Sequence, residues 1–131
     1  CLACPLFVPL VENGRFRPGD TVIETVAREY LEPLRDTGID TLILGCTHYP
    51  LLEEVIAGIM GPEVALVSAG EESAFELKRL LTAGDLRTGE DREGELTFYV
   101  SDRTEDFERV ASVFLQEDLR HAAQWVDIDR Y

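Results

Sequence analysis

Apolar and polar residues follow one another along the chain in blocks that predict a mixed α/β protein. Apolar positions three and four residues apart predict a helix that is capped by Asp20 or Thr21 and ends near Gly38. A short apolar run at residues 40–45 predicts a strand of the kind that a parallel sheet buries on both faces. The helix's predicted buried face consists of Val22, Ile23, Val26, Tyr30, Leu31 and Leu34.

The first and later segments extend this pattern. Residues 2–11 contain two prolines and are expected to form a loop, because proline lacks a backbone donor. After the first strand, the pattern predicts a helix over 51–60, a strand over 63–67, a helix after the capping box Ser68–Glu71, a polar loop over 85–95, a strand over 96–100, a helix over 104–119 and a strand over 125–128. This order is typical of βαβ units with a parallel sheet.

Two of these helices have predicted apolar faces. They are Phe75, Leu77, Leu80 and Leu81 in the first, and Phe107, Val110, Ala111, Phe114 and Leu115 in the second.

Composition and charge narrow the functional classes. The 131 residues include 26 acidic and 12 basic side chains, a formal net charge of −14 that repels nucleic-acid and membrane phosphates. No apolar run approaches the roughly 20 residues of a membrane span. Three cysteines, an odd number, form no disulfide framework. We therefore expect a soluble, cytoplasmic protein without nucleic-acid or membrane partners, and a packed-looking segment directly after Cys1 suggests that the natural beginning is missing.

The stretch Gly45–Leu52, GCTHYPLL, holds the candidate chemistry. Cys46 follows a predicted strand and precedes a helix, where backbone N–H groups stabilise a thiolate. His48 is a candidate proton relay, and the Thr47 hydroxyl is a candidate substrate ligand. The same residues also fit a small buried cysteine and an ordinary loop histidine, and the residues alone leave both interpretations open. Cys1 and Cys4 have the spacing of a metal or redox pair, but no second pair accompanies them, so no metal is expected.

GCTHYPLL resembles the second catalytic-cysteine motif of glutamate racemases, in the aspartate/glutamate racemase family. CPLFVPLVENG, SAGEESA and FYVSDRTEDFERVASVFL resemble further family segments in the same order. The chain departs from the family pattern at Ser68, where Asp is frequent, and at Gln116, where Gly is usual. The resemblance implies an α/β fold of two domains, roughly twice this length, whose N-terminal half is missing here.

The resemblance also implies an organisation for this half. Residues 1–69 would be the second racemase domain, which carries the later catalytic cysteine, and residues 70–131 would return to pack on the missing first domain. A homodimer is implied for the full-length protein. We expect residues 1–131 alone to be inactive and incompletely folded.

The activity implied by the resemblance is the interconversion of L- and D-glutamate without a cofactor, which supplies D-glutamate for peptidoglycan. Two thiols on opposite faces of the substrate would remove and deliver the α-proton. Cys46 would serve the L-glutamate face with His48 assisting it, Glu12 would lie close to His48, and Thr47 would hold the substrate. Lys78 is the only lysine and has no glycine-rich phosphate loop beside it, which argues independently against pyridoxal chemistry.

Two alternatives remain open from the sequence. One is a racemase for aspartate or a related amino acid on the same scaffold. The other is a folded but catalytically inert truncated module.

Overall fold

The computed structural model describes residues 1–89 and 94–130. The chain divides into two compact units, Cys1–Thr88 and Gly89–Tyr131, which we call unit 1 and unit 2. Both combine helices with parallel strands, so the predicted α/β class is confirmed. Unit 1 contains α1 (Phe7–Glu12), α2 (Thr21–Arg35), β1 (Thr41–Leu44), α3 (Glu53–Met60), β2 (Ala65–Ser68) and α4 (Ala69–Ala83). Unit 2 contains β3 (Phe98–Val100), α5 (Thr104–Leu115) and β4 (Ala123–Trp125).

Unit 1 is built around a βαβ unit. β1 pairs in parallel with β2, with Thr41 opposite Ala65 and Leu44 opposite Ser68. The connection passes through a 3₁₀ helix, Tyr49–Leu52, and then α3. The helices and β1 enclose a core of Cys4, Phe7, Val11, Ile23, Ala27, Leu31, Leu44, Leu52, Val55, Ile56, Ile59 and Met60.

Helix α2 follows the sequence pattern closely. The Asp20 carboxylate caps it by accepting the Val22 N–H at 3.0 Å. Ile23, Ala27 and Leu31, spaced four residues apart, are buried on one face. Val22 was expected on that face but is 41% exposed, because it lies about a quarter turn away from Ile23 around the helix.

Two expectations for unit 1 were wrong. The segment 2–11 was expected to be a loop, but its second part forms α1. Pro9 occupies the third position of this helix, where the N–H has no intrahelical partner, so proline is tolerated there. β1 is also not buried on both faces, since Leu44 is buried whereas Ile43 is 65% exposed.

Helix α4 begins where the capping box predicts. The Ser68 hydroxyl accepts the Glu71 N–H at 3.4 Å. No residue of α4 is buried, and on its predicted apolar side Phe75, Leu77 and Leu80 are exposed while Leu81 is half-buried. Unit 1 alone therefore leaves the apolar side of α4 largely uncovered.

Unit 2 is a second, smaller βαβ unit. β3 pairs in parallel with β4, with Phe98 opposite Ala123. Gln116 caps the carboxyl end of α5 with a φ of 55°, in the left-handed region that favours glycine. The final strand begins earlier than expected, and residues 128–130 form a 3₁₀ turn. Residues 90–93 of the expected 85–95 loop lie outside the described residues.

A buried carboxylate links α5 to β4 in unit 2. Glu108 lies on the inner face of α5 and accepts the Ala123 N–H at 3.1 Å. The N–H groups of Ala123 and His121 hold the pKa of Glu108 below its usual value. The carboxylate therefore fixes the start of β4 against α5.

Among the described residues, no helix has both the length and the apolar character that a bilayer crossing requires.

Neighbouring residues on α2 provide a test of the unit 1 core. Ile23 is fully buried, so Ile23→Ala should lower the free energy of unfolding by about 2–5 kcal/mol through lost burial and a cavity. The adjacent Val22 is exposed, so Val22→Ala should change it by no more than about 0.5 kcal/mol. Urea unfolding followed by circular dichroism measures both, and equal effects would contradict this core.

Candidate active site at the end of β1

Cys46 lies just beyond the carboxyl end of β1. Its backbone is held by a turn in which the Cys46 carbonyl accepts the Tyr49 N–H at 3.1 Å. The helix expected over 51–60 is preceded by the 3₁₀ helix Tyr49–Leu52, and α3 begins only at Glu53. The strand end therefore positions Cys46, but the amino end of an α-helix does not follow it directly. The Cys46 side chain is half-buried.

His48 is paired with a carboxylate from another part of the chain. Its Nε2 lies 3.3 Å from Oε1 of Glu12, the last residue of α1. Phe7 and Val11 bury the inner side of α1, which brings its carboxyl end to the turn after β1. The Glu12 side chain is 47% exposed, so solvent screens this ion pair.

Thr47 completes a chain of polar contacts through His48. The Thr47 Oγ1 lies 3.3 Å from His48 Nδ1. When Nε2 of neutral His48 donates to Glu12, Nδ1 accepts from the Thr47 hydroxyl. When the ring is protonated, both nitrogens donate and both neighbours accept. Each ring nitrogen thus has a partner in either charge state, which suits a group that carries protons.

A cavity of about 690 Å³ opens on another side of Cys46. Its lining includes Cys1, Cys4, Cys46 and Tyr49, together with apolar side chains of α2 and β1 such as Leu31 and Leu42. Thr47, His48 and Glu12 do not line it. In the described part of the chain, no hydrogen bond joins the Cys46 thiol to His48. The structure thus brings Glu12, His48 and Thr47 into contact and places Cys46 between them and the cavity.

Burial changes the acid–base properties of two groups at this cavity. The pKa of the Cys4 thiol is raised above its usual value because the residue is buried. Burial also raises the pKa of the Tyr49 phenol, and the negative charges of the Cys4 and Cys46 thiolates raise it further. Both groups therefore remain protonated at neutral pH.

Among the residues that the structure describes, no three side chains of His, Cys, Asp or Glu come together as a metal site would need. The site's chemistry is that of a thiol, an imidazole–carboxylate pair and hydroxyl groups.

The sequence pattern missed one residue of this site and one residue of unit 2. Tyr49 was within the singled-out motif but had no assigned role, although its ring lines the cavity with Cys46. Glu108 was also missed, although a charged residue on the apolar face of a predicted helix, one position after Phe107, was a signal that could have found it. Cys4, which has the spacing of a metal or redox pair with Cys1, lies in the core.

Comparison with known proteins places this geometry in a family context. No protein-family model matches the chain. The glutamate racemase of Exiguobacterium sibiricum is 43% identical over 91% of the chain, and that of Geobacter metallireducens is 46% identical over 86%. These matches cover 43% and 41% of the two relatives, so the chain spans less than half of their length.

Solved structures agree in fold. The glutamate racemase of Thermus thermophilus, in complex with β-chloro-D-alanine, superposes with a TM-score of 0.84 and 40% identity, covering 99% of this chain and 48% of that one. The glutamate racemase of Francisella tularensis, in complex with D-glutamate, gives 0.81 and 36%, covering 98% of this chain and 47% of that one.

The parallel βαβ units and the cysteine at the end of β1 define an α/β protein of the aspartate/glutamate racemase fold. Within that fold, the sequence and structure of the chain are homologous to the C-terminal part of glutamate racemases, and the resemblance inferred from the sequence is confirmed.

The three cysteines should differ in their rates of alkylation. Cys1 is exposed, Cys46 half-buried and Cys4 buried with a raised pKa, so iodoacetamide should modify them in that order. Mass spectrometry of peptides from timed samples measures the rates. Denaturation should make the three rates similar, and a native Cys4 that reacts as fast as Cys1 would contradict the described burial.

Proposed function

We propose that the chain supplies the L-glutamate face of a glutamate racemase active site, and that the whole enzyme interconverts L- and D-glutamate. The observation that carries this proposal is the Glu12–His48 contact of 3.3 Å beside Cys46, at the end of a parallel strand. Together with the homology to glutamate racemases, this imidazole–carboxylate contact supports a role in proton transfer.

The proposed chemistry is proton transfer at the α-carbon of glutamate without a cofactor. The Cys46 thiolate removes the α-proton of L-glutamate, and a second thiol delivers a proton to the opposite face. This second thiol would come from the part of the enzyme that corresponds to the relatives' sequence outside the match. The configuration at the α-carbon inverts, and the two thiols exchange protonation states. In the reverse direction the Cys46 thiol is the proton donor.

His48 assists Cys46 by exchanging its proton. Glu12 stabilises the protonated imidazole and orients the ring, since its carboxylate accepts from Nε2. The Thr47 hydroxyl binds the substrate near the same turn, because it lies next to Cys46 and already orients toward His48. In the cell, the product D-glutamate would serve peptidoglycan synthesis, in a cytoplasmic, homodimeric enzyme.

The uncovered apolar surfaces fit an enzyme with more chain than is present here. The cavity runs along β1, whose Ile43 is exposed, and α4 exposes Phe75, Leu77 and Leu80. Burying each such side chain is worth about 1.5–3 kcal/mol. We propose that the remainder of the racemase covers these surfaces, and that residues 70–131 take part by packing on its first domain.

A chimera tests the function of Cys46. Residues 1–131 replace the aligned C-terminal part of the Exiguobacterium sibiricum relative, and circular dichroism follows the racemisation of D-glutamate. The chimera should be active and the chain alone inactive. Cys46→Ser should lower kcat at least about 10²-fold, because a serine hydroxyl is a far weaker acid than a thiol and is not ionised at neutral pH.

Cys1→Ser in the same chimera is the matched control and should keep most of the activity, since Cys1 is exposed and outside the proposed chemistry. Near-normal turnover of the Cys46→Ser chimera would overturn the assignment. Hydrogen exchange on the same samples should show stronger protection of β1 and α4 in the chimera than in the chain alone.

His48→Asn in this chimera should slow kcat for L-to-D conversion more than for D-to-L, because only one of the two thiols loses its partner. The two enantiomers have equal free energies, so kcat/KM must remain equal in the two directions. The asymmetry should therefore appear in kcat with a matching asymmetry in KM. Equal loss of kcat in both directions, or inhibition by a chelator, would count against this role of His48.

A further inference from the structure

Three thiols line one cavity of unit 1. Cys1, Cys4 and Cys46 all contribute to it, although Cys46 is far from the other two in the sequence. Proton transfer in the proposed function uses only Cys46. Cys4 is a buried nucleophile without an assigned role.

Cys4 and Cys46 each begin a turn, and the residues at the ends of these two turns are in contact. The Cys4 carbonyl accepts the Phe7 N–H at 3.1 Å, and the Cys46 carbonyl accepts the Tyr49 N–H at 3.1 Å. Each cysteine therefore starts a turn that ends at an aromatic residue. The rings of Phe7 and Tyr49 pack edge to face, with centroids 5.4 Å apart and an interplanar angle of 83°. This ring contact links the turn that Cys4 begins to the turn that Cys46 begins.

Tyr49 lines the same cavity as Cys4 and Cys46. Negative charge on Cys4 and on Cys46 opposes ionisation of this phenol and raises its pKa. Such effects weaken steeply with distance. One side chain at the cavity is therefore near both thiols.

We propose that Cys4 is a resolving thiol for Cys46, and that mild oxidation of the protein joins the two in a reversible disulfide beside the cavity. In the first step the Cys46 thiolate attacks hydrogen peroxide, forming a sulfenic acid and releasing hydroxide. In the second, the Cys4 sulfur attacks the Cys46 sulfur, and the sulfenic oxygen leaves as water. Two thiols and one peroxide thus give one disulfide and two water molecules.

The order of the two steps follows from exposure. Both residues line the cavity, but Cys46 is half-buried, whereas Cys4 is buried and its raised pKa keeps it a thiol. Peroxide therefore meets Cys46 before Cys4. The disulfide would protect Cys46 from irreversible oxidation and would stop any proton transfer that uses its thiolate.

Peptide mapping of the whole chain tests the proposal without any activity assay. The reduced chain is treated with a small excess of hydrogen peroxide, blocked with N-ethylmaleimide and digested with trypsin. Cys1 and Cys4 share the peptide that ends at Arg15, whereas Cys46 lies in one that starts after Arg35. Mass spectrometry should find the two peptides joined in the wild type and in Cys1→Ser, and a thiol reductant should separate them.

Cys4→Ser and Cys4→Ala should lose this joined peptide and instead accumulate sulfinic and sulfonic acid at Cys46. Far-ultraviolet circular dichroism checks that the variants fold. Joined peptide at the wild-type level in folded Cys4 variants would make Cys1 the partner and overturn the proposal. The proposal also fails if wild-type Cys46 oxidises irreversibly without joining, or if concentrated urea leaves the Cys4–Cys46 yield unchanged. Because no step needs glutamate, these outcomes are independent of the proposed racemase activity.

Discussion

The parallel pairing of β1 with β2 determines where the candidate catalytic residues of unit 1 lie. Two parallel strands need a crossover, and the crossover here starts with the turn that holds Cys46 and His48 and continues into α3. Leu44, the last residue of β1, is buried in the same core as Leu52 and Ile56, so the turn is fixed at both of its ends. α1 then contributes to that core through Phe7 and Val11, and this packing delivers Glu12 to His48. A polar pair therefore depends on apolar contacts made elsewhere.

Much of the fold could be predicted from local pattern because its determinants are local. The Asp20 cap, the four-residue spacing on α2 and the Ser68 cap of α4 each act within one or two turns. α1 was missed because two prolines outweighed the pattern, although a proline in the first turn of a helix leaves every intrahelical hydrogen bond possible. The burial of β1 was overestimated because an apolar sequence indicates that a strand can be buried, not that other residues cover it. What covers the exposed Ile43 depends on residues distant in the sequence or outside the chain.

The candidate site divides in the same way. Cys46 and His48 stood out because they follow a predicted strand, whereas no spacing rule connects Glu12 to His48. That contact was expected only through the family resemblance, and it depends on how α1 packs. The shared cavity of Cys4 and Cys46 was not foreseen at all. In the sequence, Cys4 pairs most simply with Cys1, and only tertiary contact between Phe7 and Tyr49 brings its turn beside that of Cys46.

The surroundings of Cys46 must meet two opposing requirements. A thiolate that exchanges protons needs polar neighbours such as His48 and Glu12, yet a thiol beside apolar side chains and a buried Cys4 is less well solvated. The structure separates the two environments in space, with the imidazole–carboxylate pair away from the cavity lining and the apolar groups within it. Cys46 lines the cavity and directly precedes Thr47 and His48 in the chain, so it borders both environments. The position from which we propose that Cys46 transfers protons therefore also lies in a cavity lined by a second thiol, and both properties follow from the one turn after β1.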